Sequence, residues 1–400
     1  MDLDSLAWLQ SPPGQTLLAE LVGREIADAD VLGELTRLRR SYTPEQASAA
    51  VALALLRRRA AAKFPAAGRM FFTRESLEQA SAAPVAAHRA VRMAPYGQVA
   101  DLCCGVGGDA LALADAGALV LAVDRDELRL ALAAANAAAL GLSERICFIP
   151  RDLLAEAPPL AEAIFCDPGR RAGGRRRFHV DEYEPPLAHI LAWRTHTPAL
   201  AVKLSPGVDV AELPGGEVEL EFVSLNGELK EAALWCGPLA DTRRRATLLR
   251  HGVNGQIHTY TMVSNLPTSP SSLILPPSSF LYEPDPAVIR AGLVTDLAGQ
   301  IGAAQLDPQI AYLTATDFVA TPFARAWPVI AWQPFGLKRL RASLRELGAG
   351  PVTVKKRGSP LDTDALARQL SGGGPRPLVV VLTQHLDRPI SIICGPPVVE

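Results

Sequence analysis

The sequence lacks the features that mark a membrane protein, a metal centre or a disulfide scaffold. No apolar run reaches the roughly 20 residues that span a bilayer. The N-terminal MDLDSLAWLQ has no basic start followed by an apolar stretch, so no secretory leader is expected. The six cysteines, at 103, 104, 147, 166, 236 and 394, form no C-x-x-C pair. Zinc ribbons and thioredoxin chemistry therefore have no support, and buried, reduced thiols in a cytoplasmic setting are expected. The seven histidines show no metal-ligand spacing, and no metal is expected. Charge of one sign is missing too: 40 Lys and Arg stand against 42 Asp and Glu, a net charge of -2. That excludes a chain that holds polyanions through its overall charge, and leaves only local clusters for such a role. These are Arg57 to Arg59, Arg170 to Arg177, Arg243 to Arg245, Lys338 to Arg345 and Lys355 to Arg357. For any one of them a solvated face or helix end is the plain expectation.

What is present is an ordinary globular composition, 48% hydrophobic and 20% charged, over 400 residues, more than one core usually organises. Residues 1–95 read as helices with alanine-rich faces and nothing that looks catalytic. TPEQASAAVALALLRRRAAAKF opens with the N-cap Thr43 and a proline at the next position, and TRESLEQASAAPVAAHRAVRM repeats the pattern with Thr73 and Ser76. From residue 96 to 240 short β-branched runs alternate with helical segments: QVADLCC, ALVLAVD, RICFIPRD, AEAIFCDP and ALAVKLSPG as strands, with helices between. The alternation predicts a Rossmann-like parallel sheet with helices on both faces. It ends differently, since EVELEFVSLNGELKEAALWCG flanks Asn226-Gly227 with two strand-like runs and predicts an antiparallel hairpin. Residues 241–280, rich in Pro, Ser and Thr, read as a linker or domain joint. Residues 281–400 read as a further α/β segment.

The most specific stretch is VADLCCGVGGDALALADAGALVLAVDRDE. A strand runs into the turn Gly105-Val106-Gly107-Gly108, which opens directly into a helix. Glycines there let a ligand approach the backbone and let helix and strand pack closely. Asp101 lies four residues before Gly105, Asp124 ends the second strand 19 residues after it, and Asp152 follows the third strand. An acid after the second strand suits a ribose diol, and one after the third suits an adenine edge. A dinucleotide would put its pyrophosphate on the helix N-terminus, where Asp101 and Asp109 repel it. Asp101 instead suits the cationic amino group of a methionine moiety. Acid before the glycines, acid after the second strand and a terminal hairpin favour S-adenosylmethionine as cofactor, with Cys103 and Arg125 as further candidate contacts.

Residues 98–237 resemble the class I S-adenosylmethionine-dependent methyltransferases, with their seven-stranded sheet. More narrowly, DLCCGVGGD, DPGRR with DEYEPP, VKLSPG, SLNGELKEA and the C-terminal VTVKKRG make the whole chain similar to bacterial RNA methyltransferases that carry a C-terminal THUMP-like domain. The resemblance implies an enzyme acting on RNA, tRNA or rRNA, with residues 281–400 as the THUMP-like domain. It also implies a C-terminal RNA-gripping surface around Lys338 to Arg345 and VKKRG.

Asp167-Pro168 then stands where an open α/β sheet places its chemistry, at the carboxyl end of the fourth strand. Amine methyltransferases commonly have a polar residue here, then two prolines and an aromatic that stacks on the base. Asp167 fits the hydrogen-bond-accepting role. Gly169 and Arg170 replace the second proline and the aromatic, so stacking would fall to Arg170 or Arg171, or to Phe178 or Tyr183 further on. The arginine loop beside the site reads equally as a solvated, mobile loop or as an RNA-backbone contact. Lys203 either lines the same cleft and binds substrate or simply ends its strand. His179 reads as a surface histidine. Two other functions stay open: a non-catalytic RNA-binding protein that keeps the methyltransferase fold, and a small-molecule or protein methyltransferase, which the basic loop disfavours.

Overall fold

The computed structural model describes the chain except residues 25, 28–29, 170, 173–174, 177–178, 267–272, 359–361 and 399–400, with the backbone alone of 171–172 and 175–176. It falls into two compact units, Met1–Glu219 with Lys230–Asp241, and Leu220–Leu229 with Thr242–Glu400.

The first unit opens with α1 (Leu3–Gln10), α2 (Pro12–Val22), α3 (Val31–Leu38) and α4 (Pro44–Ala60). Thr43 and Gln46 cap α4 reciprocally, and its small buried residues Ala47, Ala50 and Ala54 let neighbouring helices come close. The next stretch, which reads as one helical run, is two: α5 (Arg74–Gln79), capped by Thr73 and Ser76, and α6 (Ala83–Met93). Pro84 has no N–H to continue a helix from behind, so it sits in the first turn of α6, and the chain is extended at Ala80 and Ala82. That break presents Ser81 to the site.

The sheet follows: β1 (Gln98–Leu102), α7 (Gly108–Asp115), β2 (Leu119–Asp124), α8 (Glu127–Leu140), β3 (Ile146–Pro150), β4 (Ala163–Cys166), α9 (Leu187–Ala192) and β5 (Leu200–Leu204). β1 to β5 pair in parallel in the order β3-β2-β1-β4-β5, so their carboxyl ends share one edge. After β6 (Val218–Leu225) the chain reverses at Asn226 and Gly227, at φ 52° and 80°, the left-handed pair that a two-residue hairpin turn requires. It returns as β7 (Glu228–Cys236), antiparallel to β5.

In the second unit, β8 (Arg244–His251) runs parallel to β6 and antiparallel to β9 (Ile257–Ser264). Both strands lie inside the stretch whose composition reads as a joint. Ala246, Thr247, Leu248 and Leu249 are buried, and the Pro/Ser-rich signal belongs to the shorter segment after Ser264. Beyond it come β10 (Phe280–Pro284), α10 (Pro286–Arg290), α11 (Val294–Ile301), β11 (Ala304–Asp307), β12 (Ile310–Ala315), β13 (Ala324–Pro334), α12 (Leu337–Glu346), β14 (Ala349–Lys356), α13 (Thr363–Leu370), β15 (Arg376–His385) and β16 (Arg388–Cys394). Their sheet has the order β11-β12-β10-β13-β16-β15-β14. The sequence pattern conceals β10 to β13: β11 is buried on both faces and so does not alternate, and β13 carries Pro328 and Pro334. No helix among the described residues is long and apolar enough to cross a membrane.

Candidate active site

The carboxyl ends of β1, β2, β3 and β4 surround a cavity of about 330 Å³. After β1 the backbone turns left-handed at Cys103, Gly105 and Gly107 (φ 61°, 56° and 81°), and α7 begins at Gly108. A Cβ on Gly107 would lie 3.1 Å from that of Ala133 on α8, so this glycine is what lets the turn lie against the helix. The Gly105 N–H donates to Asp124 Oδ2 at 2.9 Å, and the Asp126 N–H donates to Oδ1 at 3.0 Å. Asp124 is buried yet borders the cavity. Each of its oxygens keeps a lone pair with which to accept a hydroxyl. Asp152, also on the wall, accepts the Leu154 N–H at 3.0 Å.

Behind the glycine turn lies a network of buried charge. Arg89 of α6, 2% exposed, pairs with Asp109 and Glu231, donates to Ser81 Oγ at 2.9 Å and lies over the Phe165 ring at 5.0 Å. Burial by itself would lower the Arg89 pKa, but Asp109 and Glu231 outweigh it and raise it. Burial also raises the Glu231 pKa, against the pull of Arg89 and Lys203. Asp101 is fully buried, and among the described residues neither of its oxygens has a hydrogen-bond partner at normal geometry, the Ala110 N–H favouring its ionised form only weakly. Burial first, then the charges of Asp109 and Asp167, push its pKa well above the usual carboxylate range. It does not line the cavity itself.

Asp167 and Pro168 are on the wall, at the end of β4. The Asp167 N–H donates to Leu102 O at 3.1 Å, and its Oδ2 takes the Lys203 ammonium at 2.6 Å. Lys203, the other residue expected at the cleft, is 4% exposed and stands behind Asp167 rather than on the cavity wall. Gly169 and Glu184 exchange backbone hydrogen bonds at 2.8 and 2.9 Å, which closes the intervening loop at its base. Tyr183 cannot supply the stacking ring. It is 1% exposed, and its hydroxyl accepts the Ser205 N–H at 3.2 Å. Arg171–Ala172 pairs with Arg175–Arg176 in a short antiparallel ladder, while Arg170, Arg177 and Phe178 lie outside the described residues. His179 is exposed, and its bond to Glu212 at 2.6 Å raises its pKa. Arg125, on the rim, pairs with Glu184 at 3.1 Å.

The helical segment contributes what sequence reasoning missed. Glu75, Ser76, Glu78, Gln79, Ala80 and Ser81 border the cavity, and Arg89 anchors the charges behind it. A signal existed: Arg89 falls on the same stripe of α6 as Val85, Ala86, Ala90 and Met93, and an arginine on an apolar stripe needs buried partners. All six cysteines are free, with Cys103 half-buried and Cys147 exposed, so the expectation of buried thiols holds for the other four.

Residues 96–179 match the family described as RNA cap guanine-N2 methyltransferase, residues 324–396 match the THUMP domain-like family, and residues 2–60 match a domain of unknown function. Over 358 residues the chain is 38% identical to an uncharacterized S-adenosylmethionine-dependent methyltransferase of Mycobacterium tuberculosis H37Rv, covering 86% of this chain and 95% of that protein. The counterpart in strain CDC 1551 matches equally. The crystal structure of a protein assigned as a methyltransferase from Porphyromonas gingivalis W83 superposes with a TM-score of 0.71 at 18% identity, over 92% of this chain and 99% of that one. At that identity the likeness shows the fold.

The residues present suit the cofactor of the mycobacterial relatives. Asp101, a carboxylate with no hydrogen-bond partner among the described residues, lies behind the glycine turn where its charge suits an ammonium at the cavity wall, and Asp124 retains acceptor capacity for a ribose.

Proposed function

The chain belongs to the S-adenosylmethionine-dependent methyltransferases, and on that premise we propose that it methylates an exocyclic amine of a base in tRNA or rRNA. The match of residues 96–179 to an RNA methyltransferase family, in one chain with a THUMP-like match, carries the reading. The free thiols fit a cytoplasmic setting.

S-adenosylmethionine, when bound, supplies a methyl group on a sulfonium that needs little further activation. The chain's own work is therefore binding and alignment. Gly105 and Gly107 let the cofactor approach the backbone. Asp124 and Arg125 would hold its ribose end and Asp152 its adenine edge, with Cys103 on the wall between. Asp101 and Asp109 would set the negative field that its ammonium meets. Asp167 Oδ1 would accept an N–H of the acceptor amine, aim the nitrogen lone pair at the methyl group and take up the proton the nitrogen sheds. Pro168 fixes the backbone carbonyl beside it, and Arg170 and Arg171 would meet the RNA backbone. Residues 1–95 frame the cavity, residues 96–240 carry the chemistry, and residues 281–400 would present RNA through exposed Lys338, Arg339, Arg345 and Lys356.

The test is methyl transfer from labelled S-adenosylmethionine to bulk tRNA and to ribosomal RNA, followed by digestion to nucleosides and mass spectrometry. A base methylated at an exocyclic nitrogen, and lost with Asp167→Asn, is the expected outcome. Cofactor binding with no methylation of either RNA would leave a non-catalytic RNA-binding protein or a different acceptor.

A further inference from the structure

One buried feature of the site that the proposed chemistry does not use is Lys203. Register places it opposite Asp167. Cys166 of β4 pairs with Val202 of β5 in parallel, and the next residue on each strand is Asp167 and Lys203. The ammonium donates to Asp167 Oδ2 at 2.6 Å and to Ser81 Oγ at 2.9 Å, with the lysine 4% exposed. Ser81 in turn has no capacity left. It accepts from Lys203 and from Arg89 Nη2, each at 2.9 Å, and donates to Asp109 Oδ2 at 3.4 Å. A hydroxyl with two bonds accepted and one donated has no rotation to spare, so it holds the ammonium in one place. Arg89 is itself fixed by two buried carboxylates. Asp167, with its side chain 23% exposed, faces the cavity at the outer end of this chain of bonds. Its backbone is tied to Leu102, and its Oδ1 makes no hydrogen bond among the described residues.

We infer that Lys203, held by Ser81 of the helical segment, is a positioning residue that engages one oxygen of Asp167 and leaves the other as the single acceptor offered to the methyl-accepting nitrogen. The inference rests on the reading of Asp167 as the residue that orients the acceptor. It assigns the α5–α6 break a part in catalysis. It also explains why a lysine rather than an arginine stands on β5: a compact ammonium satisfies one oxygen, where a guanidinium fork would claim both.

The test needs no RNA, so it is separate from the question of which RNA is methylated. Sinefungin carries an amine where S-adenosylmethionine carries its transferable methyl, and S-adenosylhomocysteine carries nothing there. The ratio of their affinities, by calorimetry, reads what Asp167 offers at that point. Asp167→Asn is expected to lower the sinefungin preference by about tenfold. Lys203→Met should lower it comparably, Lys203→Arg, whose fork claims both oxygens, should not restore it, and Lys203→Met added to Asp167→Asn should do nothing more. Affinity for S-adenosylhomocysteine should hold throughout and reports folding. Should Lys203→Met fail to fold, Ser81→Ala, which removes only the bracing hydroxyl, should still lower the preference. A preference lost in Asp167→Asn but untouched in Lys203→Met or Ser81→Ala overturns the inference, as does full additivity in the double variant. A preference untouched in Asp167→Asn sinks the reading of Asp167 itself, and the inference with it.

Discussion

Two charge clusters, one in each unit, show opposite surpluses. Around the glycine turn, buried Arg89 and Lys203 face buried Asp101, Asp109 and Glu231, with Asp167 at the cavity wall, so acids outnumber cations among the buried groups, and Asp101 has no hydrogen-bond partner among the described residues. In the second unit Lys355 and Arg357 share Glu283, at 2.5 and 3.8 Å, and cations are in surplus. Lys355 lies over the Trp327 ring at 4.9 Å, and Arg357 over Tyr312 at 5.3 Å. Burial differs as well. Arg89 is 2% exposed, while Lys355 keeps 26% of its side-chain surface in contact with solvent. A buried excess of acid is costly unless a cation is to be brought in. A half-exposed excess of base, spread over aromatic faces, is tolerated without a ligand. The first cluster thus favours a positive charge brought to it, and the second leaves positive charge at the surface.

Removing the central cation is the harshest way to break this contrast. Arg89→Met leaves Asp109 and Glu231 buried without their cation, and should cost about 3–5 kcal/mol in denaturant unfolding. Next comes the orphaned acid. Burial and its neighbours favour the protonated form of Asp101, and a cofactor ammonium nearby favours the ionised form, so binding releases a proton. Affinity for S-adenosylmethionine should therefore rise with pH, read below about pH 7, where the cofactor's α-amino group stays charged. Asp101→Asn should flatten the curve. A flat curve in the unaltered protein would remove the match between orphan and ammonium. The smallest effect belongs to the second unit: Lys355→Met should cost at most about 1 kcal/mol, since the pair is partly solvated. A loss as large as that of Arg89→Met would erase the distinction between the clusters.

Legibility followed locality. The Asn226-Gly227 turn, the caps at Thr43 and Thr73 and the glycines at 105 and 107 all act on their own few residues, and each is where the chain pattern puts it. β8 and β9 were hidden because a proline-rich segment follows them, and β11 because burial on both faces erases alternation. Among the arginines, composition was a poor guide. Arg57 opens a basic run that reads as a solvated helix end, yet it is buried, donates to Met70 O at 2.8 Å and has its pKa pushed down to about 10 by burial.

The sequence alone determined the alternation of strands and helices, the glycine turn after the first strand, Asp124 at the end of the second and Asp167 at the end of the fourth. These depend on periodicities and dihedral preferences that reach only a few residues. Tertiary structure alone decided that Ser81 borders the cavity with Arg89 behind it, that Lys203 pairs with Asp167, and that Asp101 has no hydrogen-bond partner among the described residues. Each of those is a relation between side chains far apart in the chain: Lys203 and Ser81 are 122 residues apart, and Arg89 and Glu231 are 142. Burial makes such pairings obligatory, but only the packed fold selects which residues meet.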